Sequence, residues 1–390
     1  MQSTEVDMSA NVSTSIFPTT DHPEMYVRQS LFVITPSLLR EISLYMNGII
    51  TPIICLVGLA GNSVGLWILR REPDKNRMTI YTYMFALMFT DNIYLFLGLL
   101  APIQEILNWY DPILALTMQS YLLVYRGYTF IVLKHITSFL LIIMSFERLM
   151  AVLKPFTSKD SYLSRHPGAA ITITVIVSAI YIIPFFIGFR VVTIRNPQNI
   201  TIHTTIIESW YFDVFIVYTY VETVILHYIC PAIVLSLNIM IAIVYARHTK
   251  QRSSMTMSKS SSNQTKITAI VLSVAVMYIV LSMPSLFLQT LIFIDDNYSF
   301  YGRHRLTFFF LVNLGDFLGR INSATDFFMY IFASNHYRGI VGAIACKWCT
   351  NDGKHVRGTS SMWSTKSSEL NEAAYGENDE YIDLQRTRVA

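Results

Sequence analysis

Seven stretches of this chain are apolar over the length that a helix needs to cross a lipid bilayer. About 20 residues, rising about 1.5 Å each, span the roughly 30 Å hydrocarbon core. Runs of that size recur at 42–69, 78–103, 118–152, 168–188, 214–246, 267–294 and 306–333. The expected fold class is an all-α membrane protein, a seven-transmembrane helix bundle. Composition points the same way. The 390 residues are 53% hydrophobic and 14% charged, where a soluble domain is about 25% charged. A net charge of +3 leaves no electrostatic footprint for nucleic acid.

The short connections carry an orientation signal, because basic residues are retained in the cytosol. Arg70, Arg71, Lys75 and Arg77, then Lys154, Lys159 and Arg165, then Arg247, Lys250, Arg252, Lys259 and Lys266 lie in the odd connections. The even ones carry only Arg190, Arg195, Arg303 and Arg305. The expectation is a multi-pass plasma-membrane protein with its N-terminus extracellular and its C-terminus cytoplasmic. The glycan acceptors Asn11, Asn199 and Asn297 all fall on the expected outside, whereas the sequon at Asn263 falls inside and would go unused. Of four cysteines, Cys55 and Cys230 lie within spans and Cys346 and Cys349 follow the last one. No outer disulfide is therefore expected, and no Cys/His spacing suggests a metal.

The chain divides into an extracellular tail at 1–41, the bundle at 42–333, a short amphipathic eighth helix on the inner lipid surface at 334–349, and a disordered cytoplasmic tail at 350–390. That tail is Ser/Thr-rich and then acidic, a composition that buries no core. The first 40 residues hold no signal-peptide core, so the first span is expected to direct insertion. There is no internal repeat of the kind that builds transporters.

Ionisable residues within spans need a partner or a purpose. Asp91 and Asp326, with Asn62, Thr137, Asn322 and Ser323, could form one polar cluster, either as glue between helices or as a cation or proton site. Asp316 and Arg320 are four residues apart and can pair on one helix face; alternatively Arg320 faces a central cavity and meets a ligand. Lys134 needs an anion: Asp91, Glu222 or an acidic ligand. His227 could line the same cavity. Pro184, Pro231 and Pro284 sit inside spans four, five and six, where each removes a backbone bond and permits a kink.

At these positions the chain resembles the rhodopsin-like (class A) G-protein-coupled receptors, over about residues 42–349. The resemblance runs through Gly61-Asn62, Asp91, Glu147-Arg148, Pro231, Pro284, and the seventh-span run from Asn322-Ser323 through Asp326-Phe327 to Tyr330. It continues into Tyr337-Arg338 and the Cys346/Cys349 pair. It implies that Glu147, Arg148, Pro284 and Tyr330 serve G-protein coupling. It also implies a sodium pocket at Asn62, Asp91, Thr137, Asn322, Ser323 and Asp326, palmitoylation at Cys346 and Cys349, and kinase and arrestin sites in the tail. Departures are Leu123 in place of the usual third-helix cysteine, Ser282 in place of the sixth-helix Trp, and no Trp in the fourth span. Phe130 stands where amine receptors carry Asp, and Arg320 where opsins carry Lys.

The form of the seventh-span motif is most similar to FMRFamide and myosuppressin-type neuropeptide receptors. The implied function is a receptor, not an enzyme. It would transduce a short amidated peptide into heterotrimeric G-protein activation, with no cofactor beyond an allosteric sodium ion. The alternatives are a chemosensory receptor for a small organic molecule and, more distantly, a transporter. Expected ligand contacts are Phe130, Lys134, Glu222, His227, Gln289, Asp316 and Arg320.

Overall fold

The computed structural model describes residues 35–71, 79–153, 161–195, 201–207, 209–252, 260–295, 297–298, 302–333, 338 and 342. Of the expected eighth helix only 338 and 342 are described, both helical; Cys346 and Cys349, the tail, Asn11 and Asn199 lie outside the described residues.

Seven helical spans are present. Helix 1 runs from Pro36–Ser43 through a π-helical segment, Leu44–Ile50, into Thr51–Arg71. It begins six residues before the apolar run does. Thr35 caps it by accepting the Leu38 N–H, and Pro36 occupies the first helical position, where its missing donor costs nothing. Helix 2 comprises Ile80–Gly98 and Leu100–Tyr110. Asp111 starts helix 3, Pro112–Leu153, by accepting the N–H groups of Ile113 and Leu114 at 3.1 and 3.0 Å. Helix 4 is Pro167–Tyr181 with Ile183–Gly188. Helix 5 is Phe212–Thr223, a π-helical segment Val224–Ile229, and Cys230–Arg252. Helix 6 is Ser260–Ile294 and helix 7 is Arg305–Ala333.

Among the described residues, five of these helices are long and apolar enough to cross a bilayer on those two criteria alone. The others have visible reasons for falling short. The main part of helix 4 is only 15 residues long, and helix 7 carries Asp316, Arg320 and Asp326 along its 29 residues.

Proline sets the irregularities. Helix 4 breaks at Ile182, two residues before Pro184. Pro231 follows the π segment of helix 5 by two residues, and Pro52 follows that of helix 1 by the same interval. A proline ring crowds the carbonyl four residues back, and a widened π turn makes room for it. Pro284 differs: helix 6 continues through it.

The expected helix bundle is present, with one addition outside the spans. The connection between helices 4 and 5 forms an antiparallel hairpin, β1 (Phe189–Arg195) and β2 (Thr201–Ile207), in register from Phe189↔Ile207 to Arg195↔Thr201. Its Val-, Thr- and Ile-rich strands suit extended backbone. Both strands pack against helix 3.

The main core lies toward the end of the bundle that holds Arg148. Tyr83, Met84, Leu87, Leu140, Met144 and Ala275 are fully enclosed there. Helices 1 and 7 approach closely because Gly58 has no side chain: a Cβ there would lie 2.7 Å from Ala324 Cβ and 2.9 Å from Ala324 Cα. Small residues of this kind let helices meet within a membrane.

Candidate ligand cavity and switch residues

A cavity of about 680 Å³, counting its open mouth, lies between helices 2, 3, 5, 6 and 7. Lys134, His227, Tyr94 and Ser285 supply polar wall; Leu226, Leu281 and Pro231 supply apolar wall. His227 belongs to the π segment of helix 5, so the irregular turn placed just before Pro231 presents it. Ser282, in the slot where the related receptors carry Trp, also lines the cavity. A small hydroxyl there leaves space that an indole would fill.

Two sequence expectations for the charged residues are overturned. Asp316 does not pair with Arg320. Its Oδ1 stands 3.5 Å from Lys134 Nζ on helix 3, so the partner of Lys134 is neither Asp91 nor Glu222. Arg320 turns toward helix 1, where its Nη1 donates to Asn47 Oδ1 at 3.3 Å. It is 3% exposed and is not part of the cavity wall. Local packing explains the choice. Asn47 sits in the π segment of helix 1. Gly98 lets helix 2 lie close to helix 1, since a Cβ there would lie 2.9 Å from Cys55 Sγ, and Arg320 packs beside it in ordinary contact. Asn47 also donates to Asn313 Oδ1 at 3.2 Å and to Ser43 Oγ at 3.3 Å, and Ser43 donates to Glu105 at 2.8 Å. A polar chain thus joins Arg320 to Glu105 near the hairpin end of the bundle.

The remaining expected contacts are scattered. Phe130 packs its ring on Tyr94, with centroids 4.8 Å apart. Glu222 is half-buried and acts on Lys134 and on Tyr181 and Tyr218. Gln289 is half-buried on helix 6 and away from the cavity wall.

The polar cluster is split by the cavity. Asn62 donates to the Ser323 carbonyl at 2.9 Å. Asp91 is buried beside Ser323 and Asp326, with neither of its oxygens at full hydrogen-bond geometry. Thr137 and Asn322 line the cavity instead, and Ser323 touches both regions. The acidic cluster therefore lies directly against the cavity wall. Among the described residues there is no group of three or more His, Cys, Asp or Glu that could hold a metal ion.

Two contacts were missed in the sequence, Ser138–Tyr278 and Asn238–Ser145, whereas the resemblance implied the Glu147–Arg148 pair on helix 3. Ser138 Oγ and Tyr278 Oη are 2.8 Å apart and buried, tying helix 3 to helix 6 beside the cavity. Ten residues further along helix 3, Arg148 Nη2 stands 3.9 Å from Glu147 Oε2, with both side chains enclosed. Nearby, Asn238 on helix 5 donates to Ser145 on helix 3 at 2.9 Å. Tyr330 is buried at that same end. Nothing in the order of residues pairs Ser138 with Tyr278, because the two are 140 positions apart; only the cavity geometry does.

Beyond the helices, Asn297 is exposed. Its backbone N–H and side-chain amide donate to Asp295 Oδ1 at 3.0 and 2.7 Å. Those bonds hold the Asp295 carboxyl below its ordinary pKa.

Residues 49–348 match the model of a family described as the serpentine type 7TM GPCR chemoreceptor Srw. No curated protein matches the chain. The family match covers most of the first span, the six that follow and well over half of the sequence, and the chain belongs to this family of G-protein-coupled receptors.

Proposed function

We propose that this member of the serpentine chemoreceptor family is a plasma-membrane receptor for a small organic molecule, which it reports to a heterotrimeric G protein. The observation that carries the reading is the cavity with the Ser138–Tyr278 tie in its wall. Its wall joins a few convergent polar groups, Lys134, His227 and Tyr94, to apolar ones, Leu226, Leu281 and Pro231, the make-up of small-ligand sites. Ser138 is ten residues from Arg148, about 15 Å along helix 3. A ligand wedged against Tyr278 favours a bundle in which helix 6 has parted from helix 3. It shifts the equilibrium by as much as it binds that state more tightly. Freed from its cramped place beside Glu147, Arg148 then engages the G protein. The Glu147-Arg148 pair and the run from Asn322 to Tyr330 support a place near the rhodopsin-like receptors. The neuropeptide reading rests on the seventh-helix motif alone, while the family description favours a small molecule.

The orientation follows from the basic connections and from Asn297. The hairpin end faces outward with the N-terminus, and the Arg148 end faces the cytosol with the tail that kinase and arrestin would read. Asp91, Ser323 and Asp326 offer oxygen donors suited to a small hard cation. The unpartnered oxygens of Asp91 are the reason to place a sodium ion there, where it would supply positive charge between two facing carboxyls.

The test is a cell-based G-protein assay with a library of soluble small organics beside a panel of amidated peptides. Responses to small molecules that persist when the hairpin at 189–207 is replaced by a Gly/Ser connection support the reading. Responses confined to peptides, and lost with the hairpin, replace it with the neuropeptide one.

A further inference from the structure

The charges beside the cavity do not balance. Lys134, Arg320 and Arg126 all act on one carboxylate, Asp316. Arg126 lies two turns from Lys134 on the same face of helix 3, and it and Arg320 act on each other as like charges. Among the described residues, each arginine has a buried N–H without an acceptor, Nη1 of Arg126 and Nε of Arg320. The contacts they do make are neutral. The Arg126 guanidinium lies 5.3 Å from the centre of the Phe130 ring, and Arg320 donates to the amide oxygen of Asn47. Glu222 is the other acid that acts on Lys134. Among the described residues, these three cations act on two carboxylates, and a third, Glu105, is reached from Arg320 only through Asn47 and Ser43.

In water such a surplus is trivial; inside a membrane bundle an uncompensated charge is costly. Arginine does not escape the cost by shedding its proton. The Lys134–Asp316 contact is also incomplete. At 3.5 Å, with side chains 34% and 48% exposed, it is longer than a tight charge-assisted bond of about 2.8 Å and open on one side. Lys134 is on the cavity wall.

We propose that the cavity takes a small organic acid whose anionic group binds Lys134, while its carbon body lies against Leu226, Leu281 and Tyr278. Asp316 is the resident counter-ion that the ligand displaces or joins. The unused donors of Arg126 and Arg320 receive Asp316 when it gives up Lys134, so the exchange leaves no carboxylate stranded. A neutral or cationic molecule of the same shape leaves the surplus uncorrected and binds worse. This names the ligand class of the receptor proposed above and rests on that reading for its biological meaning; the binding chemistry stands apart from coupling and is tested without it.

The experiment uses the full chain purified in lipid nanodiscs. Its thermal stability is followed with hexanoate, octanoate and benzoate, each beside its own amide and amine. The acids are expected to raise the melting temperature and their uncharged or cationic counterparts to leave it unchanged. Lys134→Gln should weaken acid binding at least about tenfold, the loss of one charge-assisted bond. Asp316→Asn should strengthen it, because it removes the competing carboxylate. A merely structural role for the pair predicts that both substitutions lower stability and weaken binding together. Amides binding as well as acids, Lys134→Gln leaving acid binding intact, or no acid shifting the folded wild type would each overturn the proposal. A shift by acids without any G-protein response in cells would sustain the site and count against the receptor reading.

Discussion

The two halves of this bundle are built differently. Toward the Arg148 end the core is large and closed, with Tyr83, Met84, Leu87, Leu140, Met144 and Ala275 at zero exposure. Hydrogen bonds fasten its edges: Tyr83 to the Leu163 carbonyl at 2.9 Å and Asn238 to Ser145 at 2.9 Å. Toward the hairpin end the apolar cluster is small, Leu288, Phe308 and Leu311. Helices 1 and 5 carry π segments, and the central ion pair is loose and half-open. Close-packed regions switch between discrete arrangements and transmit strain, whereas sparse polar ones rearrange at low cost. The contrast teaches that the hairpin half can adapt to a ligand, and that the Arg148 half must move as a body when the tie between helices 3 and 6 lets go.

The largest effect expected is at the helix 1–helix 7 seam, which both halves need. Gly58→Leu cannot be seated against Ala324 without moving backbone, and overpacking costs about 1–3 kcal/mol or more. Surface expression should fall to a small fraction of wild type, read by labelling intact cells. Normal expression would mean that the helices are not in contact there. Tyr278→Phe comes next. It deletes one buried hydrogen bond worth about 1 kcal/mol, so basal G-protein activity should rise about fivefold with expression unchanged. Unaltered basal activity would remove the tie from the switch.

A smaller effect is expected at the acidic cluster. Replacing sodium by choline in the medium should raise basal activity of the wild type modestly, and Asp91→Asn should abolish that sensitivity. If the two proteins respond alike, the cluster is only glue. Smallest is Asn297→Gln, which should increase gel mobility by one glycan while leaving signalling as it was. Unchanged mobility would remove the support that Asn297 lends to placing the hairpin half outside.

Much of the architecture was legible because hydrocarbon imposes a coarse rule. A span must be long and apolar wherever lipid touches it, so seven runs gave seven helices. The exceptions are also physical. Helix 1 begins at Pro36 rather than at residue 42 because Thr35 and Pro36 form a cap, and apolarity does not report caps. The hairpin escaped notice although the β-branched residues at 191–194 and 201–207 signalled it. Pro52 escaped notice too, and with it the π segment that carries Asn47.

Partner choice was the least legible part of the site. Asp316 and Arg320 satisfy the spacing rule for a pair within one helix, yet each finds its contact on another helix. The reason is that Lys134 stands within reach of Asp316 from helix 3, and Asn47 offers Arg320 an acceptor from helix 1. Asn62 and Asp91, by contrast, were placed with Ser323 and Asp326 from polarity alone, since buried polar groups in lipid have few other places to go.

The central claim is that occupancy of the hairpin half is reported through Arg148 at the other end. The direct measurement is Arg148→Ala in nanodiscs with purified G protein, reading nucleotide exchange and ligand binding on the same samples. Ligand binding should stay within a few-fold of wild type while ligand-stimulated exchange disappears. Stimulated exchange that survives the substitution would contradict that claim.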